Sequence, residues 1–265
     1  MDIDYDYHVF RERVEQTIFF CEQDGVCASY KDLKFASVFQ PIFDRNMNVH
    51  GVEALVRIKD QHEQYYRPDL YFRSIEQDDH ETLFVTLMCA VLHVLNFARS
   101  SYRDSRIFIN VAPSIFELVA NDQAAIDHLV SSLGRHQLTS DQITYEIMEL
   151  QGRDDARMVS GISKLAEHGI RIALDDYGVQ CSTAERAKTI QPDYLKLDRS
   201  IIMTDPEKVV SNISCAIKLA GQINARTIAE GIETKEVLDA CMDNGVDYFQ
   251  GYWLARPEKA PPIAQ

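Results

Sequence analysis

Residues 170–176 of this chain read Ile-Arg-Ile-Ala-Leu-Asp-Asp, a short apolar run that ends in two adjacent carboxylates. A run of this length in a chain of alternating strands and helices is typical of a buried strand in a parallel sheet. One carboxylate at the end of one strand can arise by chance. Two adjacent ones repel each other unless cations offset their charge, so the stretch directs attention to the ends of the other strands.

The same arrangement recurs along the chain. Acidic or amide residues follow short apolar runs at five further places, and a lysine takes this position in another run: Glu53, Asn110, Glu146, Glu230, Gln250 and Lys196. Any one of them alone is typical of a helix N-cap, a loop residue or a surface lysine. In a barrel of parallel strands, however, the C-terminal strand ends meet at one mouth, where the active site lies. The repeated pattern therefore predicts one pocket that holds cations.

Length and composition agree with a single barrel. The chain has 265 residues, 46% of them hydrophobic, close to the ~250 residues of a (β/α)8 barrel. The formal net charge of −14 disfavours a polymeric nucleic acid as partner, although a small anionic ligand remains compatible with bound metal ions. The sequence suggests no apolar stretch near the ~20 residues of a membrane span, and the acidic N-terminus is unlike a secretory signal. We therefore expect no membrane association and a cytoplasmic location.

Metal sites built on cysteine or histidine are not indicated. The six cysteines are scattered without a C-x-x-C pair, and the eight histidines form no H-x-x-x-H pair. We expect reduced thiols, several of them packed in the core.

The order of the predicted elements gives the fold class. Two strands at 36–43 and 49–58 are separated by only five residues, too few for a parallel crossover, so they pair antiparallel. Helices and strands then alternate, with helices predicted at 80–98, 122–134, 155–168, 206–222 and 235–244 and strands at 106–111, 142–147, 170–175, 193–197, 226–230 and 246–250. We predict an α/β fold, a (β/α)8 TIM-like barrel with one antiparallel strand near the start. Residues 8–24 look helical, so we divide the chain into an N-terminal helical extension, 1–35, and a barrel domain, 36–265.

The residue types at the strand ends indicate the chemistry. Carboxylate and amide oxygens suit Mg²⁺ or Mn²⁺, and the surplus of carboxylates, with Asp175 next to Asp176, suggests two ions. Two such ions clamp a phosphoester and activate water. Lys196 is suited to orienting that water or a phosphate oxygen, and Arg57 to a phosphate contact. Asp198 has an equally good explanation as a loop or helix-start residue, and so has Glu233.

Eight ordered motifs carry a resemblance to a known family. They are Gln-Pro-Ile at 40–42, Val-Glu-Ala-Leu-Val-Arg at 52–57, Phe-Ile-Asn-Val at 108–111, Tyr-Glu-Ile-Met-Glu at 145–149, Ala-Leu-Asp-Asp-Tyr-Gly at 173–178, Asp-Tyr-Leu-Lys-Leu-Asp at 193–198, Ala-Glu-Gly-Ile-Glu-Thr at 229–234 and Gln-Gly-Tyr at 250–252. In this order, from about residue 36 to 257, the chain closely resembles the EAL-domain family of bacterial phosphodiesterases. The resemblance implies metal-dependent hydrolysis of cyclic di-GMP to linear pGpG, and a homodimer is expected with it.

The resemblance also implies roles for individual residues. The first metal ion is assigned to Glu53, Asn110, Glu146 and Asp175, and the second to Asp175, Asp176 and Glu230. Lys196 matches the general base or water-orienting group, and Gln250 matches a residue near the nucleophilic water. The remaining matches are substrate contacts at Gln40 and Arg57, a further acidic position at Asp198, and a loop-anchoring glutamate at Glu149.

One loop departs from the family pattern. After the two aspartates the family has Phe-Gly-Thr-Gly-Tyr-Ser-Ser, whereas residues 177–183 here read Tyr-Gly-Val-Gln-Cys-Ser-Thr. We expect reduced rather than absent activity from this change. The alternatives are an inactive EAL domain that serves as a cyclic di-GMP receptor, or one that regulates a protein partner. The retained metal-ligand types favour the enzyme.

Overall fold

The strands of the protein form one continuous sheet. The computed structural model describes residues 7–148, 155–177, 184–202 and 206–261. Within these ranges the strands are β1 (Ile18–Cys21), β2 (Gly25–Tyr30), β3 (Leu33–Asp44), β4 (Val49–Lys59), β5 (Tyr65–Tyr66), β6 (Arg106–Val111), β7 (Ile143–Met148), β8 (Arg171–Tyr177), β9 (Tyr194–Leu197), β10 (Arg226–Ala229) and β11 (Tyr248–Phe249).

Eight strands of the described part of the chain close into a barrel. Their order around the ring is β3, β11, β10, β9, β8, β7, β6 and β4, with β4 returning to β3. From β4 round to β11 the neighbours pair in parallel, whereas β3 is antiparallel to both β4 and β11. The predicted barrel with one antiparallel strand near the start is therefore confirmed. Because β4 runs parallel to β6, with Gly51 paired to Arg106, the turn of the β3–β4 hairpin lies at the N-terminal end of the barrel, and the end of β4 and the start of β3 lie at the C-terminal mouth.

Helices cover the outside of the barrel. They are α1 (Tyr7–Thr17), α2 (Pro68–Ile75), α3 (Asp79–Phe97), α4 (Pro113–Val119), α5 (Gln123–Arg135), α6 (Asp155–Glu167), α7 (Ala184–Ile190), α8 (Arg199–Ile202), α9 (Pro206–Ile223) and α10 (Lys235–Asp243), with a short 3₁₀ turn at Ser140–Gln142. Local sequence sets several of their ends. Thr234 accepts a hydrogen bond from the Val237 N–H at the start of α10, and Gly169 after α6 has a φ of +83°, the left-handed conformation in which a glycine ends a helix.

Two expectations are corrected by the structure. The segment predicted to be helical over 8–24 is a helix only over Tyr7–Thr17; residues 18–21 form β1, which pairs with β2, and β2 in turn pairs with β3. The aromatic and branched residues of 18–20 favour strand pairing over helix. The division of the chain at residue 35 stays a prediction.

The second correction concerns the expectation that no apolar stretch approaches the length of a membrane span. By length and composition, α3 is long and apolar enough to be such a span. In the fold it is a core helix. Its apolar residues Leu83, Val85, Met88 and Leu92 are almost completely buried, in a helix that packs on β2, β3 and β6. High hydropathy here follows from burial of the helix between sheet and neighbouring helices.

Candidate active site

Lys196 lies at the centre of the barrel mouth, and only 1% of its side chain is exposed. Its Nζ is 2.6 Å from Glu146 Oε1 and 2.8 Å from Glu230 Oε1. The same ammonium is 3.0 Å from Asp175 Oδ1 and 4.0 Å from Glu53 Oε1. These side chains come from β9, β7 and β8, from the residue after β10 and, for Glu53, from the middle of β4, so the residues singled out in the sequence do converge.

Two amides hold Glu53 in place. Asn110 Nδ2 donates to Glu53 Oε1 at 3.1 Å, and Gln250 Nε2 donates to Glu53 Oε2 at 2.7 Å. The amides come from β6 and from the residue that follows β11. All the residues predicted as first-ion ligands therefore lie on one contiguous arc of the mouth.

A β-bulge brings the two adjacent aspartates to the same side. In a regular strand, Asp175 and Asp176 would point to opposite faces. Here the pairing of β8 with β9 shifts between Leu174 and Tyr177, and Asp176 has a φ of +56°, a conformation rare for residues other than glycine. Carboxylate oxygens of Asp175, Asp176 and Glu230 consequently lie within 4.8 Å of one another. Backbone strain of this kind gathers at functional sites.

Burial and the charges of neighbouring groups shift the pKa values of the clustered side chains. Burial lowers the pKa of Lys196, but the carboxylates of Asp175, Glu146 and Glu230 outweigh it and hold that pKa well above the usual value. Burial raises the pKa of Glu146 well above its usual value, and Lys196 opposes this only in part. Burial and then the charge of Asp175 raise the pKa of Asp176 to about 6. In the absence of divalent metal these shifts favour the protonated forms of Lys196, Glu146 and Asp176, and the carboxyl groups outnumber the one ammonium.

The cluster fits hard divalent cations. Glu146 Oε1 and Asp175 Oδ1 meet Lys196 at ion-pair distance but without hydrogen-bond geometry, and Glu146 Oε2 accepts no hydrogen bond from the described residues. Buried carboxylate oxygens without partners are costly. An oxygen-rich donor set of this kind suits Mg²⁺, Mn²⁺ or Ca²⁺ rather than softer metals.

The family of this chain follows from a comparison with models of known protein families. The model of the EAL domain matches residues 28–257. This chain belongs to the EAL domain family. Among curated relatives, it is 27% identical over 242 residues to the probable cyclic di-GMP phosphodiesterase PdeN of Escherichia coli, covering 88% of this chain and 45% of PdeN. The chain thus spans less than half the length of that relative.

Solved structures share the fold of this EAL domain. The Bacillus subtilis YkuI protein, in complex with cyclic di-GMP and calcium, superposes with a TM-score of 0.74 at 24% identity, over 85% of this chain and 56% of YkuI. Klebsiella pneumoniae BlrP1, in a manganese and cyclic di-GMP complex, gives a TM-score of 0.72 at 21% identity, over 87% of this chain and 59% of BlrP1. EAL domains with this barrel therefore bind divalent metals together with cyclic di-GMP.

The predicted substrate contacts lie along the β3–β4 hairpin of the EAL domain. Gln40 pairs with Glu53 across the hairpin, and both line a cleft of about 260 Å³ at the mouth. Gln40 Nε2 donates to the Ala255 carbonyl at 3.1 Å. Arg57 lies four residues beyond Glu53 on the same face of β4 and lines a neighbouring cleft, where Lys59 is another cationic residue.

Asp198 lies both at the start of a helix and close to the site, so its structural and its functional explanation both apply. Its Oδ1 accepts a hydrogen bond from the Ser200 N–H at 2.7 Å, as a residue at the start of α8 does. Its charge also contributes to the raised pKa of Asp176, so it lies close to the site. Glu233 likewise forms an ion pair with Arg199, at 3.4 Å, and lines the mouth cleft.

Sequence reasoning missed two residues that line the mouth cleft, Arg199 and Tyr252. Their signals were available, since Arg199 directly follows Asp198 and Tyr252 is the last residue of the Gln-Gly-Tyr motif at 250–252. Arg256 lies over the Tyr252 ring at 4.6 Å from its centroid, which keeps this ring at the rim of the cleft. Two other predictions, the anchoring role of Glu149 and the altered loop at 179–181, fall outside the described residues.

Proposed function

We propose that this EAL domain is a metal-dependent phosphodiesterase that hydrolyses cyclic di-GMP to linear pGpG and so lowers the level of this second messenger. The observation that carries the proposal is the convergence of the strand-end carboxylates around Lys196 at an open mouth. Their excess negative charge suits two divalent cations. The description of PdeN and the cyclic di-GMP in the YkuI and BlrP1 structures support the choice of substrate.

The metal ligands proposed here are those that the resemblance to the EAL family implies. One Mg²⁺ or Mn²⁺ would be held by Glu53, Asn110, Glu146 and Asp175, and the second by Asp175, Asp176 and Glu230, whose carboxylate oxygens lie within 4.8 Å of one another. Bound ions of this type polarise a phosphoryl oxygen and lower the pKa of water. The bulge that turns Asp175 and Asp176 to the same side is what lets Asp175 serve both groups.

Lys196 and Gln250 orient the reacting groups. Lys196 lies at ion-pair distance from the proposed ligands Glu146, Asp175 and Glu230, where it can act as general base or orient water or a phosphate oxygen. Gln250 Oε1 is buried and has no hydrogen-bond partner among the described residues, so it is available to accept a hydrogen bond from the attacking water. Water adds to phosphorus and the bond from phosphorus to the 3′ oxygen breaks, which opens the ring to pGpG.

Arg57 and Gln40 serve the substrate rather than the metals. Arg57 is on the mouth-facing side of β4 beyond Glu53, where a guanidinium can bind a phosphate of the dinucleotide in bidentate fashion. Gln40 lines the cleft beside Glu53 and can contact the dinucleotide there. Asp198, beside Asp176, completes the acidic side of the pocket. A homodimer and a cytoplasmic location belong to the same proposal.

The test is product analysis with purified protein. Cyclic di-GMP is incubated with Mg²⁺ or Mn²⁺, and the nucleotides are separated; we expect pGpG, and no product from the Glu53→Ala variant. The matched control is Glu15→Ala, an exposed glutamate on α1, which should leave the rate unchanged. Ca²⁺ should inhibit, because its coordination is longer and looser.

Unchanged nucleotide at high enzyme concentration would refute the enzymatic function. Tight binding of cyclic di-GMP without turnover would then show that the domain is a cyclic di-GMP receptor. Loss of both turnover and binding would leave regulation of a protein partner as the remaining function.

A further inference from the structure

The β1–β2 hairpin carries a cluster of two thiols and a carboxylate, none of them a proposed ligand of the metal ions at the mouth, and the carboxylate of Asp24 lines the cleft that Arg57 also lines. Cys21 ends β1, Cys27 lies in β2, and Asp24 lies in the turn between them. In the strand register Phe19 pairs with Cys27, and side chains two residues apart share a face, so both cysteines lie on the same face of the hairpin. One ligand atom from each of the three residues lies within 4.8 Å of the others.

The two thiols have opposite environments. Cys21 is partly exposed, and its sulfur accepts a hydrogen bond from Lys34 Nζ at 3.4 Å. The backbone amides of Asp24 and Gln23, and then Lys34, lower the pKa of Cys21, with the Asp24 amide contributing most. Cys27 is fully buried, and burial raises its pKa to about 11. An accessible thiol with a lowered pKa thus lies beside a buried thiol with a raised pKa.

Two lysines make this cluster unlike a metal site. Lys34 Nζ donates to Asp24 Oδ2 at 2.6 Å, and Lys259 Nζ forms an ion pair with the other oxygen, Asp24 Oδ1. Two ammonium groups already satisfy the carboxylate, and they repel a further cation. The same positive charge stabilises a thiolate, which is the condition for a reactive cysteine.

We propose that Cys21 and Cys27 form a peroxide-reactive dithiol, in which Cys21 attacks a hydroperoxide and Cys27 resolves the product to an intramolecular disulfide. In the first step the Cys21 thiolate forms an S–O bond as the O–O bond breaks. Sulfur is oxidised by two electrons, and the leaving hydroxide takes a proton to become water. In the second step Cys27 forms the S–S bond, the S–O bond breaks, and hydroxide leaves with the Cys27 proton as water.

The hairpin is suited to this chemistry. β1 has only four residues, Ile18–Cys21, and pairs with β2 as an edge strand, so the sulfur of Cys21 can approach Cys27 without disturbing the barrel. Cys27 is screened from solvent, so the oxidant reaches Cys21 first. The order of events follows from the difference in exposure.

The test uses the full chain, reduced and freed of reductant, with hydrogen peroxide as the probe. We expect an intact mass lower by two hydrogen atoms, a Cys21–Cys27 crosslink in the peptide map, and reversal by dithiothreitol. Cys215, exposed on α9, is the internal control. Cys21 should be oxidised faster than Cys215 at neutral pH, because Lys34 Nζ donates to the Cys21 sulfur and favours its thiolate.

Two variants test the separate roles. Cys27→Ala should stop the reaction at a sulfenic acid on Cys21 that dimedone traps, and Lys34→Met should slow the oxidation of Cys21 about threefold or more. Equal rates for Cys21 and Cys215 would overturn the proposal, and so would sulfinic acid at Cys21 with Cys27 still a free thiol. Protection of both thiols from alkylation by added Zn²⁺ would instead establish a metal site. These readouts do not depend on the phosphodiesterase activity.

Discussion

Replacing Glu146 by Gln is expected to stabilise the protein in the absence of divalent metal while removing its activity. Glu146 is completely buried, and its Oε2 accepts no hydrogen bond from the described residues. Its removal does not leave Lys196 unpaired, because Asp175 and Glu230 remain at 3.0 and 2.8 Å from the ammonium. The substitution therefore removes repulsion and desolvation rather than a necessary partner.

The size of the effect depends on pH. The pKa of Glu146 is raised in the fold, so the folded protein favours the protonated form of this residue. The folded protein therefore loses stability as the pH rises above ~4.5, the pKa of Glu146 in the unfolded chain. The loss is at most about 1.4 kcal/mol per pH unit until the raised pKa is reached. At pH 7 we expect Glu146→Gln to gain about 1–3 kcal/mol, or about 2–12 °C in Tm for a domain of this size. At pH 5 the gain should nearly vanish.

Divalent metal should oppose this gain. Metal at a hundred times its Kd stabilises a binding protein by about 2.7 kcal/mol, and the variant lacks one of the proposed ligands. The assay is thermal unfolding at pH 5 and pH 7, in chelator and in excess Mg²⁺, alongside product formation from cyclic di-GMP. The matched control is Asp24→Asn, which removes a carboxylate that two ammonium groups satisfy. It should destabilise the protein equally with and without Mg²⁺. A Glu146→Gln protein less stable than wild type in chelator at pH 7 would refute the reasoning.

Three further predictions concern other positions. Lys196→Met leaves the buried carboxylates around it without their ammonium and should cost about 3–5 kcal/mol in urea unfolding, together with all activity; a loss below 1 kcal/mol would contradict it. Burial lowers the pKa of His93 to about 3, so its contribution is full above pH ~6.5 and is lost as the pH falls. Between pH 7.5 and 5 the wild type should lose about 2 kcal/mol more than His93→Asn, and parallel pH curves would exclude this. A Cβ on Gly251 would overlap the backbone of Ile232, so Gly251→Ala should displace Gln250, lower Tm by several degrees and slow the reaction; an unchanged Tm would argue against it.

Much of the fold and site could be read from the sequence. Apolar runs ending in Asp175, Glu230 or Gln250 are local patterns, and a parallel sheet brings such ends to one edge whatever the details of packing. The short spacing between the strands at 36–43 and 49–58 likewise required an antiparallel pair. These inferences rest on chain connectivity and side-chain alternation, which act over a few residues.

The tertiary structure decided what depends on distant segments meeting. Strand alternation would send Asp175 and Asp176 to opposite faces, and only the bulge against β9 turns both toward the mouth. The central burial of Lys196 and the closure of the ring by β3 follow from the complete barrel.

The hairpin cluster has the same origin. Cys21 and Lys34 are thirteen residues apart, and Lys259 joins them from near the end of the described chain. No local pattern marks these residues as neighbours, because spacing in sequence specifies which face a side chain lies on but not which remote side chain packs against it. What the sequence by itself determined was the barrel and the composition of its mouth; the charge environment of each site was decided by packing between segments that are far apart along the chain.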